Sequence, residues 1–112
     1  MRSDWLWLHD ILMAINKIKQ YTDQAEEEFY KSELVQVWVI YHLQIIGEAA
    51  NKLSKNLKKK HPNIPWAEIT GLRNIIVHEY FGVDLDEIWS TVEYDLPTLE
   101  FGISKILSSE TE

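Results

Sequence analysis

The sequence predicts an all-α protein, a bundle of four main helices formed as a single domain over residues 1–112. Apolar residues recur with a helical period through most of the chain, and no run alternates with the period of two expected of a strand. The composition is 46% hydrophobic with 4 glycines and 3 prolines, which is typical of a folded globular chain. At 112 residues the chain is long enough for one modest core but not for two.

The first two helices are predicted in the N-terminal half. Helical spacing of apolar residues runs over residues 5–18, with Ser3 or Asp4 as the N-cap. The stretch YTDQAEEEFYKS then loses this pattern and is expected to contain the connection. A second helix is predicted over residues 33–57, and its segment LVQVWVIYHLQII is apolar on nearly every side. Such a helix must be covered all round, by its own bundle or also by a second subunit.

The remaining two helices are marked by prolines and by a capping pattern. Pro65 suits the first turn of a third helix, predicted over residues 66–80. Asp84 and Glu87 have the spacing of a capping box at the start of the last helical segment. Because proline lacks an N–H and crowds the preceding turn, Pro97 predicts a kink or a short break in this last segment.

The composition argues against several classes of protein. Without cysteine the chain has no disulfide, zinc–thiolate site or thiol nucleophile. The four histidines fall in different segments without a metal-ligand spacing, so we expect neither a metal site nor a cofactor. No stretch has the length and apolarity of a membrane span or a signal peptide, so a cytoplasmic protein without membrane contact is expected.

Charge is unevenly distributed along the chain. A net charge of −7 argues against a general nucleic-acid binder, because non-specific affinity comes from neutralising phosphates. One segment nevertheless gathers basic residues, namely Lys52, Lys55, Lys58, Lys59, Lys60 and His61. Two interpretations stay open: a solvated helix end with lysines near its C-terminal pole, or a local cluster that binds phosphate by itself.

The stretch RNIIVHEYF in the third helix carries four hydrogen-bonding side chains. Helical geometry places Asn74 and His78, four residues apart, nearly opposite the apolar side of the helix. Arg73 and Tyr80, seven apart, share a second stripe near the border of the core. Two apolar residues lie between these stripes, Val77 and Phe81. Apolar residues beside an outward polar cluster favour a surface covered by a second copy of the chain.

These side chains suit phosphodiester chemistry. Histidine is the side chain whose ordinary pKa fits proton transfer near neutral pH, and arginine grips phosphate in a forked geometry. Asn74, one turn before His78, can fix the tautomer of the imidazole. By pattern alone this signal is weak and polar side chains scattered on the surface are the favoured interpretation, since an arginine and a histidine five residues apart occur by chance in many helices.

Beyond this pattern, the sequence resembles the HepT-like proteins, a branch of the HEPN (higher eukaryotes and prokaryotes nucleotide-binding) superfamily. RNIIVHEYF resembles the family motif R-N-x-x-x-H-x-Y. DILMAINKIKQYT, LQIIGEAANKLS, PNIPWAEITGLRN and GVDLDEIWSTVEYDLPTL resemble the corresponding family segments in the same order. The ordered set is more specific than the motif alone, and together these segments cover most of the chain.

The resemblance implies an antiparallel four-helix bundle of the HEPN type, with two copies of the Arg-x4-His motif facing each other in a homodimer. It implies a metal-independent RNA endonuclease, the toxin of a type VII toxin–antitoxin system, with Arg73 and His78 as catalytic residues. Asn74 would support this pair. Glu48 matches a family motif acid, although a helix-stabilising charge or an interface contact is the favoured explanation of Glu48. The family antitoxin, a MntA-like minimal nucleotidyltransferase, would transfer AMP to Tyr80.

One alternative function follows from the same resemblance. Some HEPN proteins are non-catalytic subunits that bind a nucleotide or a nucleotidyltransferase partner. The acidic balance of the chain suits this alternative slightly better than it suits efficient capture of RNA.

Overall fold

A computed structural model describes residues 2–23, 26–78 and 84–109. None of these residues forms a strand, which confirms the all-α prediction. The described residues form seven α-helices and one π-helical segment: α1 Asp4–Thr22, α2 Glu26–Lys31, α3 Glu33–Lys52, α4 Lys55–Lys60, α5 Trp66–His78, α6 Leu85–Ser90, the π segment Thr91–Asp95 and α7 Leu96–Ser109.

The N-terminal helix begins where the capping residues predicted. Ser3 is the N-cap, and its side chain accepts a hydrogen bond from the Leu6 backbone N–H at 3.4 Å. The helix continues into the predicted connection, which also contains the short helix α2. Phe29 of α2 is fully buried and packs against Trp89 with ring centroids 5.3 Å apart. This contact joins residues sixty apart in sequence, so local periodicity did not predict α2.

The prediction of one helix over residues 33–57 is wrong, because the structure divides this segment into α3 and α4. Leu53 is extended, with φ −65° and ψ 146°, and Ser54 is the N-cap of α4. Asp4 at the start of α1 accepts hydrogen bonds from the Ser54 backbone N–H at 2.8 Å and from its hydroxyl at 2.6 Å. These bonds satisfy the polar groups that the break exposes and join α4 to α1.

Helices α1 and α3 form an antiparallel pair at the centre of the fold. The start of α1 meets the end of α3 through the Asp4–Ser54 bonds, while Trp38 Nε1 donates to the carbonyl of Lys17 at 2.7 Å. Helix α5 packs on α3, and α7 packs on α1. This arrangement is compatible with the predicted helical bundle. Its core includes the fully buried residues Ile11, Ile15, Ile18, Val39, Leu43, Ile46 and Ile103.

The last helical stretch runs without a break from Leu85 to Ser109. Asp84 caps its start by accepting from the Glu87 backbone N–H at 3.3 Å, as the capping pattern predicted. The predicted short break at Pro97 does not occur. Instead the helix widens to a π-helical segment that ends two residues before the proline, which accommodates the ring and the missing N–H.

A tyrosine joins α2 to α6. The Tyr30 hydroxyl donates to Asp86 Oδ1 at 2.6 Å, and this bond to the carboxylate, with minor desolvation, raises the pKa of Tyr30 to about 12. Because the pKa is raised in the folded state, the link stabilises the fold fully below the ordinary phenol pKa near 10 and is lost as the pH rises through about 12.

Candidate active site

The candidate site forms where the backbones of α3 and α5 come close together at Gly47. A Cβ atom built on Gly47 of α3 would lie 2.7 Å from the backbone nitrogen of Arg73 and 3.2 Å from the carbonyl oxygen of Thr70. Both atoms belong to the backbone of α5, so neither can move aside without shifting the helix. Glycine at position 47 therefore permits the contact that brings Arg73 against α3.

Arg73 forms an ion pair with the residue that follows this glycine. Its Nη1 donates to Glu48 Oε2 at 2.7 Å, and Lys52 Nζ lies 4.0 Å from the other carboxylate oxygen. The side chains of Arg73 and Glu48 are 34% and 48% exposed. Half-exposed ion pairs contribute only about 0–1 kcal/mol to folding, so the main effect of this pair is to orient the guanidinium group.

The guanidinium group of Arg73 keeps donors beyond those used by Glu48. Arginine carries five N–H donors, and the Glu48 bond engages one of them. The Nε atom is buried with no hydrogen-bond partner among the described residues, while part of the side chain stays exposed. The outer part of the group can therefore bind an anion such as a phosphate. The single carboxylate of Glu48 neutralises only one of the two cations, so the Glu48–Lys52–Arg73 cluster has a net charge of +1.

The other predicted site residues are placed less fully. Asn74 and His78 lie in α5 with Arg73, but their side chains are outside the described part of the structure. Tyr80 lies outside the described residues altogether. Of the five predicted site residues, the structure thus brings together Arg73 and Glu48, and the roles of all five stay predictions.

Two contributors to this cluster were not predicted from the sequence. The signal for Gly47 was available, because a glycine inside a helix costs roughly 0.5–1 kcal/mol and is retained where another backbone comes close. Lys52 was noticed only as part of the lysine segment. Its place beside Glu48 follows from the i, i+4 spacing of the two residues on α3.

The outer face of α3 leads from an exposed apolar stripe directly to the charged cluster. The stripe consists of Leu34, Val37 and Tyr41, whose exposed fractions are 84%, 47% and 57%. Seven-residue spacing places Leu34, Tyr41 and Glu48 on one face of the helix. Any molecule that covers this apolar stripe therefore lies beside the Glu48–Arg73 pair.

The described part of the chain offers no group of three or more histidine and acidic side chains arranged to hold a metal ion. Within the same residues, no helix combines the length and apolarity required to cross a membrane.

Comparison with known proteins gives a consistent picture. The family described as Ribonuclease HepT-like matches residues 11–106. A Methanocaldococcus jannaschii protein provisionally named as an RNase is 36% identical over 95% of this chain and 92% of that protein. A Thermococcus cleftensis protein named as a probable ribonuclease HepT is 39% identical over 94% of this chain and 96% of that protein. No solved structure matches the chain.

Proposed function

Because the chain belongs to the HepT-like ribonuclease family, we propose that it is an RNA endonuclease that cleaves without a metal ion. Its proposed biological role is that of the toxin in a type VII toxin–antitoxin system. The observation that carries the proposal is the Glu48–Arg73 ion pair, which presents a part-exposed guanidinium group five residues before His78 in the same helix.

In the proposed reaction the 2′-hydroxyl oxygen of RNA attacks the adjacent phosphorus while the bond from phosphorus to the 5′-oxygen breaks. The products are a 2′,3′-cyclic phosphate and a 5′-hydroxyl, so the proton lost by the 2′-oxygen is balanced by the one gained at the 5′-oxygen. His78 mediates this proton transfer. Arg73 stabilises the negative charge that develops on the phosphoryl oxygens, and Asn74 orients the imidazole.

The proposed active form is a homodimer in which two Arg-x4-His motifs face each other. The exposed apolar stripe of α3 supports this form, because a second copy covering Leu34 and Tyr41 would lie beside Glu48 on the same helix face. A dimer formed there would have the two Glu48–Arg73 pairs at its interface.

The proposed antitoxin is a MntA-like minimal nucleotidyltransferase that transfers AMP from ATP to the hydroxyl of Tyr80 and releases pyrophosphate. Tyr80 lies seven residues after Arg73, so an AMP group attached there would bring a negative charge and a bulky base toward the phosphate site. Repulsion of the RNA phosphates would then inhibit cleavage.

The deciding experiment is an RNA cleavage assay in EDTA with unmodified protein, comparing wild type with His78→Ala. General acid–base catalysis typically contributes about 10²- to 10⁴-fold, so the variant should lose at least about 100-fold in rate. Wild-type products should end in 2′,3′-cyclic phosphates. His9→Ala serves as the matched control, since His9 packs against Trp5 in α1 and should leave the rate unchanged.

Three outcomes contradict parts of this proposal. Equal cleavage by wild type and His78→Ala would remove His78 from the mechanism. Absence of cleavage by unmodified wild type, together with a stable nucleotidyltransferase complex, would favour the non-catalytic binding subunit, which the net charge of −7 also suits. Finally, a Tyr80→Phe protein that gains the same AMP mass on co-expression with the nucleotidyltransferase would contradict Tyr80 as the acceptor.

A further inference from the structure

The positive charge of the chain is concentrated beside the candidate site. Residues 49–67 contain five lysines and no acidic residue, although the whole chain has only 11 lysines and arginines against 18 acidic residues. The segment therefore carries +5, and the rest of the chain carries −12. A phosphate chain approaching this protein is attracted to this segment and repelled by most of the remaining surface.

Helix α4, which carries most of these lysines, is fixed to the core at its N-terminal end. Ser54 is bound twice by Asp4 and accepts from the Leu57 backbone N–H at 3.1 Å. Leu57 carries the single apolar side chain of this helix, and that side chain is buried in the core. Beyond the helix, Trp66 Nε1 donates to the carbonyl of His61 at 3.0 Å. The lysines are therefore displayed on a preformed surface.

Stabilisation of a helix end explains these lysines only in part. Cations stabilise the C-terminal turn of a helix, where Lys58 and Lys59 lie, but Lys55 occupies the first turn of α4, where the helix dipole disfavours a positive charge. Lys58 and Lys59 stand three and four residues after Lys55, and like charges at these spacings destabilise a helix by roughly 0.2–0.5 kcal/mol per pair. No acidic side chain among the described residues forms an ion pair with these three lysines.

The lysines continue from the candidate site. Lys52 lies 4.0 Å from the Glu48 carboxylate that binds Arg73, and Lys55 follows three residues later. The Cα atoms of Lys52 and Lys59 are at most about 17 Å apart. This upper limit assumes fully extended backbone from residue 52 to 55 and helix from 55 to 59. That span is short enough for one RNA strand to contact the lysines and Arg73 together.

We propose that Lys52, Lys55, Lys58 and Lys59 form a phosphate-binding track that holds the RNA strand entering the Arg73 site. This inference rests on the proposed function, since it assigns the surface that captures the RNA substrate. The track makes the affinity for RNA dependent on strand length, because only an RNA longer than the cleaved dinucleotide reaches both the track and Arg73.

The test measures RNA binding and cleavage by a track variant, Lys55→Gln with Lys58→Gln and Lys59→Gln. The matched control replaces three exposed lysines elsewhere, Lys17→Gln with Lys31→Gln and Lys105→Gln, so both proteins have a net charge of −10. Binding of a single-stranded RNA is measured against salt in a His78→Ala background. Each lost phosphate contact lowers the slope of log affinity against log salt by about 0.7, so the track variant should lose about 2 from the slope and at least tenfold in affinity at low salt.

Cleavage by proteins with His78 intact separates capture from catalysis. The track variant should show a raised KM and unchanged kcat on a long strand, with unchanged kcat/KM on a dinucleotide substrate. Circular dichroism should show that all variants fold. If the triple variant fails to fold, Lys59→Gln alone is measured instead, and it should show about a third of the decrease in salt slope expected for the triple variant.

Three results overturn the inference, and they are distinguishable from one another. If the track variant binds long RNA with the wild-type slope while wild type cleaves RNA, the track is wrong and the proposed function stands. If wild type neither binds nor cleaves RNA, both are wrong. A track variant that keeps RNA binding but loses a stable complex with the nucleotidyltransferase would assign the lysine surface to a protein partner.

Discussion

The two halves of the outer face of α3 differ in chemistry although they lie on one stripe of one helix. The N-terminal half exposes Leu34, Val37 and Tyr41. The C-terminal half carries Glu48 and Lys52, which share one carboxylate-centred cluster with an arginine of α5. The helix thus places a surface suited to association next to a surface suited to binding an anion.

Neither half contributes much to the stability of a single chain. Exposed apolar side chains gain free energy only when they are covered, at roughly 25 cal/mol per Å² of apolar surface removed from water. Half-exposed ion pairs contribute about 0–1 kcal/mol. The stability of a single chain therefore explains neither half, which is consistent with the proposed binding of a second copy by one half and of a phosphate by the other.

The largest expected effect comes from placing charge in the apolar half. Leu34→Asp with Tyr41→Asp should convert a dimer to a monomer, because two carboxylates would be buried without partners at the proposed interface. We expect the dimer dissociation constant to rise by at least about 100-fold, equivalent to about 2.7 kcal/mol. Light scattering should report a mass falling from twice the 13.2 kDa of one chain to that value.

The matched control introduces the same two charges away from the stripe. Met13 and Tyr94 are also exposed, at 60% and 67%, so Met13→Asp with Tyr94→Asp should leave the mass unchanged. A wild-type protein that is monomeric at high concentration would contradict the proposed interface. Dissociation by the control variant alone would move the interface to another face.

The sequence predicted the helical class, the N-caps Ser3 and Asp84 and the starts of α1, α3 and α5, because these depend on local period and capping. It did not predict the division of α3 from α4. That division depends on Asp4, fifty residues away, which accepts the hydrogen bonds of Ser54. It also missed α2, whose buried Phe29 packs on a distant part of the chain.

The next largest effect is expected at the glycine behind the charged half. Gly47→Ala would place a Cβ atom 2.7 Å from the backbone nitrogen of Arg73, so α5 must shift. Overpacking of this kind costs about 1–3 kcal/mol. The melting temperature should fall by roughly 5–15 °C. The rate of RNA cleavage should also fall, because the guanidinium group is displaced from Glu48.

Gly71 of α5 provides the matched control for this substitution. No described atom lies within 4 Å of a Cβ built on Gly71, so Gly71→Ala should raise stability by up to about 1 kcal/mol through its helix propensity. Equal changes in melting temperature for the two variants would show that the close approach at Gly47 does not limit the packing of α3 on α5.

The candidate site was predictable in part for the same physical reason as the fold. The residues in RNIIVHEYF share a short helical segment, so their spacing alone suggested a shared function. Glu48 and Arg73 are twenty-five residues apart, and only the resemblance to a family connected them before the structure did. The contact at Gly47 forms only when α3 and α5 pack together, so the sequence of α3 alone could not predict which residues of α5 Gly47 contacts.

The smallest effect on stability, and the sharpest test of the charged half, is expected from Glu48→Gln compared with Lys52→Gln. Both residues are about half exposed, so the free energy of unfolding of each variant should lie within about 1 kcal/mol of the wild-type value. Their effects on cleavage of a dinucleotide should differ, because Glu48 binds Arg73 at 2.7 Å whereas Lys52 lies 4.0 Å from the shared carboxylate. We expect kcat to fall about tenfold in Glu48→Gln, corresponding to about 1.4 kcal/mol of lost transition-state stabilisation, and to stay near wild type in Lys52→Gln. Equal kcat values for both variants would mean that Glu48 does not position the guanidinium group and that its ion pair is only a surface contact.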